Sequence, residues 1–318
     1  MSLNHLRIEF AQQLALQAVD MLQPLYILVD PLVKDPVNTE SAQTAGLSSD
    51  GLSVLREQLW GGCPVQLIEI SSKAVELHQM PYLVCLSGYQ HVSLAQSVDL
   101  AVTQLEDLQI NNEAVHCVGG WVQSAAQPLQ LAQTLAELMI VVEHATCKRY
   151  LRLCDPRVLQ LAQCLLQPMA SVANYLGCIS KWYYVDELQH QLKQLQNTPP
   201  NHAQESQRLP LTQQHWLALT QAEVINRALA TWQAQKPAQA RMSDARQRVI
   251  ELARKVRASG WQEPSDQLPL VLCHLLYPRF EQSIAFRNAL ELTRTRKGLV
   301  GDALKTIPTD EWARLQAA

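Results

Sequence analysis

The run Leu25-Tyr26-Ile27-Leu28-Val29 is apolar throughout, rich in β-favouring residues, and ends on Asp30. A strand with that composition has no face it can give to water, so it belongs in the middle of a sheet covered on both sides. Covering layers must then come from the rest of the chain. Just upstream, Ile8, Leu14, Ala15, Ala18, Val19 and Leu22 recur near helical spacing, and Pro24 stops that helix before the strand begins.

Further along, strand and helix patterns alternate. Residues 34–50 are polar and turn-rich and read as a surface loop; short strands are expected around Val65–Ile70 and Tyr82–Leu86. Ser93 to Leu108 reads as a helix, and Ala114 to Ser124 as a strand interrupted by Gly119-Gly120, where a bulge or a close backbone approach is expected. Pro128 opens a helix running to about Glu143, and Arg149 to Cys154 alternates in strand fashion. Asp155-Pro156-Arg157 then converts strand to helix: Asp155 can cap free amides, Pro156 suits the first helical position, and Val158, Leu159, Ala162 and Leu165 form an apolar stripe. After Tyr183-Tyr184-Val185 a short helix is expected from Asp186 to Leu195. The pattern predicts an α/β domain, a mixed sheet flanked by helices, over residues 1–196.

Residues 197–210 are polar, proline-bearing and aperiodic, as a linker would be. Beyond them, residues 211–318 read as an all-α lobe, with helices at Thr212–Gln235, Ser243–Ser259, Ser265–Leu276 and Glu281–Thr295 and a last one within Leu299–Leu315, broken by Gly260, Pro264, Pro278 and Pro308. Charge divides at the same place. Residues 1–210 carry 11 basic and 19 acidic side chains, a net of −8, whereas residues 211–318 carry 15 and 10, a net of +5. Such asymmetry suits a complementary interface, an acidic partner for the basic part, or simply a solvated helix face.

Catalytic motifs are missing. G-x-S-x-G, H-E-x-x-H, the phosphate-binding G-x-x-x-x-G-K-[ST] and G-x-G-x-x-G do not occur. The nine histidines show no pair at metal-ligand helical spacing, and the eight cysteines form no C-x-x-C and read as reduced, buried thiols. No catalytic residue, metal or cofactor is therefore expected. His144-Ala145-Thr146-Cys147 is the nearest thing to a reactive pair and is read as helix-end packing, while Gly61-Gly62-Cys63 reads as a helix cap and turn. The basic run between Lys236 and Arg257 lacks the interleaved aromatics of a nucleic-acid surface. With no export signal and no long apolar segment, a cytoplasmic protein without membrane insertion is expected. The 18 aromatic residues are few, so the grouping of Trp121, Tyr150, Trp182, Tyr183 and Tyr184 marks either a core or a groove for a partner.

One stretch carries a resemblance. Lys148-Arg149-Tyr150-Leu151-Arg152-Leu153-Cys154-Asp155-Pro156-Arg157-Val158-Leu159 resembles the adaptor domain of type VI secretion effector chaperones, the Tap/Tec family. The family has a strand running into aromatic-Asp-Pro-Arg-Val-Leu; here Cys154 takes the aromatic place. Supporting segments are Leu25–Asp30, Pro81–Leu86, Gly119-Gly120-Trp121, Gly177–Val185 and, after the linker, Leu211–Leu219, so the likeness covers chiefly residues 25–186. It implies a non-catalytic cytosolic adaptor that binds a cognate toxic effector, or its N-terminal segment, and loads it on a VgrG-type spike or its PAAR-type tip. Trp121, Tyr150, Asp155, Arg157, Trp182, Tyr183 and Tyr184 are then the candidate partner-binding residues. The competing expectation is a hydrolase with a site built around Asp155.

Overall fold

The computed structural model describes residues 3–18, 23–32, 35–36, 48–71, 75–86, 92–111, 116–144, 147–167, 170–197, 208–277, 279–296 and 298–317. The chain divides into two compact units, Met1–His215 and Trp216–Ala318. Most of the expected linker, residues 198–207, lies outside the described residues.

In the first unit, helix α1 (Leu3–Ala18) precedes strand β1 (Leu25–Val29), and helix α2 (Ser49–Leu59) precedes β2 (Val65–Leu67) and β3 (Tyr82–Cys85). Helix α3 (Val92–Asn111), strand β4 (Val118–Gln123) and helix α4 (Pro128–Met139) follow. A small hairpin, β5 (Ile140–His144) with β6 (Cys147–Tyr150), leads to helix α5 (Pro156–Leu166) and then to β7 (Lys181–Asp186) and β8 (Gln191–Gln196). Among the described residues, six strands form one sheet in the order β2-β3-β1-β4-β7-β8.

β1 is central and every one of its residues is buried, as its composition demands. Its alternate side chains Leu25, Ile27 and Val29 share a core with Tyr82, Val84, Trp121 and Tyr183 from the neighbouring strands and with Phe10, Leu14, Val98 and Val102 from α1 and α3. Tyr26, Leu28 and Trp182 are buried on the opposite face, the pleat sending them the other way. α4 packs against β2 and β3, and α5 against β7. The class is therefore α/β with flanking helices, but every pairing in the sheet is antiparallel rather than mixed. Helix–strand alternation identifies the class; strand direction depends on which end of the sheet each connection returns to, and periodicity does not encode that.

The Gly119-Gly120 expectation holds in both senses. The register of β1 with β4 shifts between Leu28 and Val29. A Cβ on Gly119 would overlap the Cys154 carbonyl, and one on Gly120, at φ +130°, would overlap the Tyr183 carbonyl.

Several elements of the first unit differ from expectation. The helix from Pro128 stops at Met139, because Ile140-Val141-Val142 is a β-branched run that takes up strand β5 instead. The strand expected to reach Cys154 ends at Tyr150, and a turn closed by Asp155 N–H donating to the Arg152 carbonyl at 3.0 Å occupies the interval. The helix expected over Asp186–Leu195 is a hairpin. Asp186 Oδ1 accepts from Leu188 N–H at 3.0 Å and Gln189 N–H at 3.1 Å, His190 turns the chain at φ +53°, and β8 returns along β7. Of the expected loop at 34–50, residues 35–36 and 48–50 are described; Asp35 is buried and α2 already begins at Ser49.

The second unit is helical, with α6 (Gln213–Leu219) crossing the boundary, then α7 (Ala222–Gln235), α8 (Pro237–Ala240), α9 (Ala245–Ala258), α10 (Pro264–Leu276), α11 (Ile284–Arg296), α12 (Val300–Lys305) and α13 (Thr309–Ala317). The single helix expected over Thr212–Gln235 breaks at Thr220-Gln221. There the buried Gln221 amide donates to the Ala253 carbonyl at 3.0 Å and to Gln267 Oε1 at 2.9 Å, tying α7, α9 and α10 together. The last expected stretch, Leu299–Leu315, holds two helices, α12 and α13, separated at the expected breaker Pro308.

Candidate functional site

Antiparallel order brings the end of β1, the start of β4 and the end of β7 to the same end of three adjacent strands. Each strand leaves an ionisable residue there: Asp30 after β1, His116 before β4, Glu187 after β7. The corner between β6 and α5 supplies Arg152, Asp155 and Arg157 to the same place.

Asp155 is built into the corner. Its Oδ1 accepts from the Arg157 backbone N–H at 2.9 Å, capping α5, and from Arg157 Nε at 3.0 Å; Oδ2 accepts from Arg157 Nη2 at 2.7 Å. Pro156 takes the first helical position, where its missing N–H costs nothing. Arg152 lies between two carboxylates, donating from Nε to Asp30 Oδ2 and standing 3.6 Å from Asp155 Oδ2 through Nη1. Asp30 Oδ1 also accepts from Leu32 N–H at 3.1 Å. His116 Nε2 and Glu187 Oε2 are 3.3 Å apart, both buried.

The environments push the two aspartates apart. At Asp155 burial raises the carboxyl, but the hydrogen bonds and charge of Arg157, helped by His116 and Arg152, outweigh it and hold the group well below the usual carboxylate range. At Asp30 burial wins over Arg152 and the carboxyl is raised. Burial also pushes the Cys154 thiol well up, so the thiol beside this cluster stays protonated. An aspartate that remains ionised and chelated by a guanidinium is suited to holding a corner, and poorly suited to giving up a proton.

The aromatic candidates lie mainly inside the fold. Trp121 and Trp182 are fully buried, their indole N–H groups donating to Ser97 Oγ at 2.8 Å and to the Gly119 carbonyl at 3.3 Å. Tyr183 and Tyr184 are buried in β7 and Tyr150 is half-buried at the end of β6. The tryptophans are therefore core side chains with no surface in this structure for a partner to rest on. Burial raises the Tyr183 hydroxyl to about 12, and that hydroxyl has no hydrogen-bond partner among the described residues. Asp155 and Arg157 are brought together; Trp121 and Tyr183 lie on one face of the six-stranded sheet and Trp182 on the other, while Tyr150 belongs to the separate β5–β6 hairpin.

Asp30, His116, Arg152 and Glu187 were not singled out from the sequence. The signal available was Asp30, a carboxylate closing an otherwise apolar central strand. Among the described residues no group of three His, Cys, Asp or Glu side chains could hold a metal ion. The side chains of His144 and Cys147 lie outside the described set. A second buried ion pair, Arg56 with Asp35, is held by two hydrogen bonds at 2.8 and 3.1 Å, with the guanidinium 4.1 Å over the Tyr82 ring. No described helix is long and apolar enough to cross a membrane. No protein-family model matches the chain, and neither curated proteins nor solved structures give a match.

Proposed function

We propose that this protein is a non-catalytic, cytoplasmic adaptor chaperone that binds a cognate type VI secretion effector and loads it onto the VgrG-type spike or its PAAR-type tip. The observation that carries the reading is the internal use of the motif behind the resemblance. Asp155, Pro156 and Arg157 set the corner between β6 and α5, and their charges are spent on each other and on Arg152. A residue pattern with that role supports a binding scaffold, because it gives rigidity while the Asp155 carboxylate and the Arg157 guanidinium are committed to each other. It correspondingly disfavours hydrolysis centred on Asp155.

The test is co-expression with the effector encoded beside the gene, followed by co-purification and by measurement of effector solubility with and without the protein. A stable complex that raises effector solubility is expected. Absence of binding to both effector and spike, together with turnover of an ester or amide substrate lost in Asp155→Asn, would replace this reading with the enzymatic one.

A further inference from the structure

Charge in the second unit is concentrated in one stretch. Residues 236–257 hold seven cations against Asp244 and Glu251, while the remainder of residues 216–318 is balanced at eight of each sign. Helix α9 explains where these charges go. It buries Val249, Ile250, Ala253 and Val256 and turns Arg248, Glu251, Arg254 and Lys255 outward. At helical spacing Arg248 and Lys255 stand in line, about 10 Å apart along the axis, with Arg254 on a parallel line and Glu251 between. Arg241, exposed in the turn before α9, is followed by Met242, itself 56% exposed.

These cations are not consumed internally to the same degree. Lys255 reaches Glu281 at 3.1 Å, but Arg241, Arg248 and Arg254 pair with no carboxylate among the described residues. Arg248 lies over the Trp232 ring at 5.5 Å, which restrains its guanidinium on the surface.

We infer that this stripe is a docking surface for an acidic protein face, whose carboxylates seat on Arg241, Arg248 and Arg254. Arginine supplies the forked donors that carboxylates match, and Met242 offers an apolar contact beside them. Glu251 in the middle of the stripe would repel a continuous phosphate backbone, whereas a protein can place a cation opposite it and so fix the register. No aromatic side chain lies on the outward face of α9 to stack a base, Trp232 being buried. The inference rests on charge placement and is independent of the type VI reading.

The experiment uses the full-length protein and a labelled oligoglutamate peptide in fluorescence anisotropy, with a labelled oligothymidine as competitor class. Binding that weakens with added salt is expected. The triple variant R241Q/R248Q/R254Q should lose about tenfold or more in affinity, while R227Q/R287Q/R314Q, which removes the same charge elsewhere in the unit, should stay within about twofold. Footprinting of the unaltered protein with phenylglyoxal needs no variant: the peptide should protect Arg241, Arg248 and Arg254 from modification. Equal losses in both triple variants, no protection of the three arginines, or tighter binding of oligothymidine through the same residues would each overturn the proposal.

Discussion

Asp155 makes three hydrogen bonds to Arg157 from a buried position, so its removal does more than uncap a helix. Asp155→Ala leaves two largely buried guanidiniums short of a carboxylate and is expected to cost about 3–5 kcal/mol, against about 1 kcal/mol for an ordinary N-cap. Urea denaturation of the two proteins measures the difference; a loss near the lower figure would mean the ion pairs contribute nothing net. Acid should separate the aspartates. Asp155 is depressed, so its stabilisation is fully present above the unfolded carboxylate value near 3.8 and is lost as pH falls below it. Asp30 is raised, so its contribution has the opposite sense: it is present below 3.8 and fades as pH rises through the higher folded value. Relative to the unaltered protein, the pH dependence of the urea midpoint should therefore be reduced above 3.8 in Asp30→Asn and below 3.8 in Asp155→Asn. Glycines give a third comparison. Gly120→Ala meets the Tyr183 carbonyl at φ +130°, whereas Gly62→Ala meets nothing within 4 Å at φ +80°. The second should cost about 1–2 kcal/mol from backbone conformation alone, and the first more than about 3 kcal/mol, read as melting temperatures.

What the sequence made legible at the level of elements follows from how many ways a pattern can be satisfied. β1 admitted one reading, because five consecutive apolar residues have nowhere to go but the middle of a covered sheet. The Asp155-Pro156 start of α5 was equally constrained, since capping chemistry is local. β8 was not. Leu192 and Leu195 are three apart, which fits a helix face, and the decisive features, the Asp186 turn and the left-handed His190, are conformations that no apolar period reports. The ionic cluster was half legible for a related reason: Asp155 and Arg157 are neighbours in sequence, but Asp30, His116 and Glu187 join them only through the antiparallel order of three strands. That order makes a prediction of its own. β1 lies between two partners, so its amides should all exchange slowly with solvent deuterium. β8 ends the sheet and pairs only with β7 among the described strands, so alternate amides of Gln191–Gln196 should exchange fast. Uniform protection along β8 would contradict this sheet order.

At the scale of the whole chain, the two units differ in architecture and in charge, and each has its own means of stability. In the second, Ile225, Leu229, Val249, Leu270 and Val271 are buried among helices α7, α9 and α10, and Phe280 meets Phe286 at 4.3 Å between ring centres. Trp312 brings α13 against Tyr277, 4.8 Å away. A core assembled from segments close in sequence needs little from the other unit and should form quickly. A fragment covering residues 209–318, which keeps α6 intact, is therefore expected to give a helical circular dichroism spectrum and a cooperative melt. The Gln221→Ala change in that fragment removes the amide that ties α7 to α9 and α10 and leaves the Ala253 carbonyl and Gln267 without that donor, a loss of about 1–3 kcal/mol. A fragment with no cooperative melt would mean that the helical unit depends on the sheet-bearing one. A cooperative fragment insensitive to Gln221→Ala would leave the apolar core as its sole organiser.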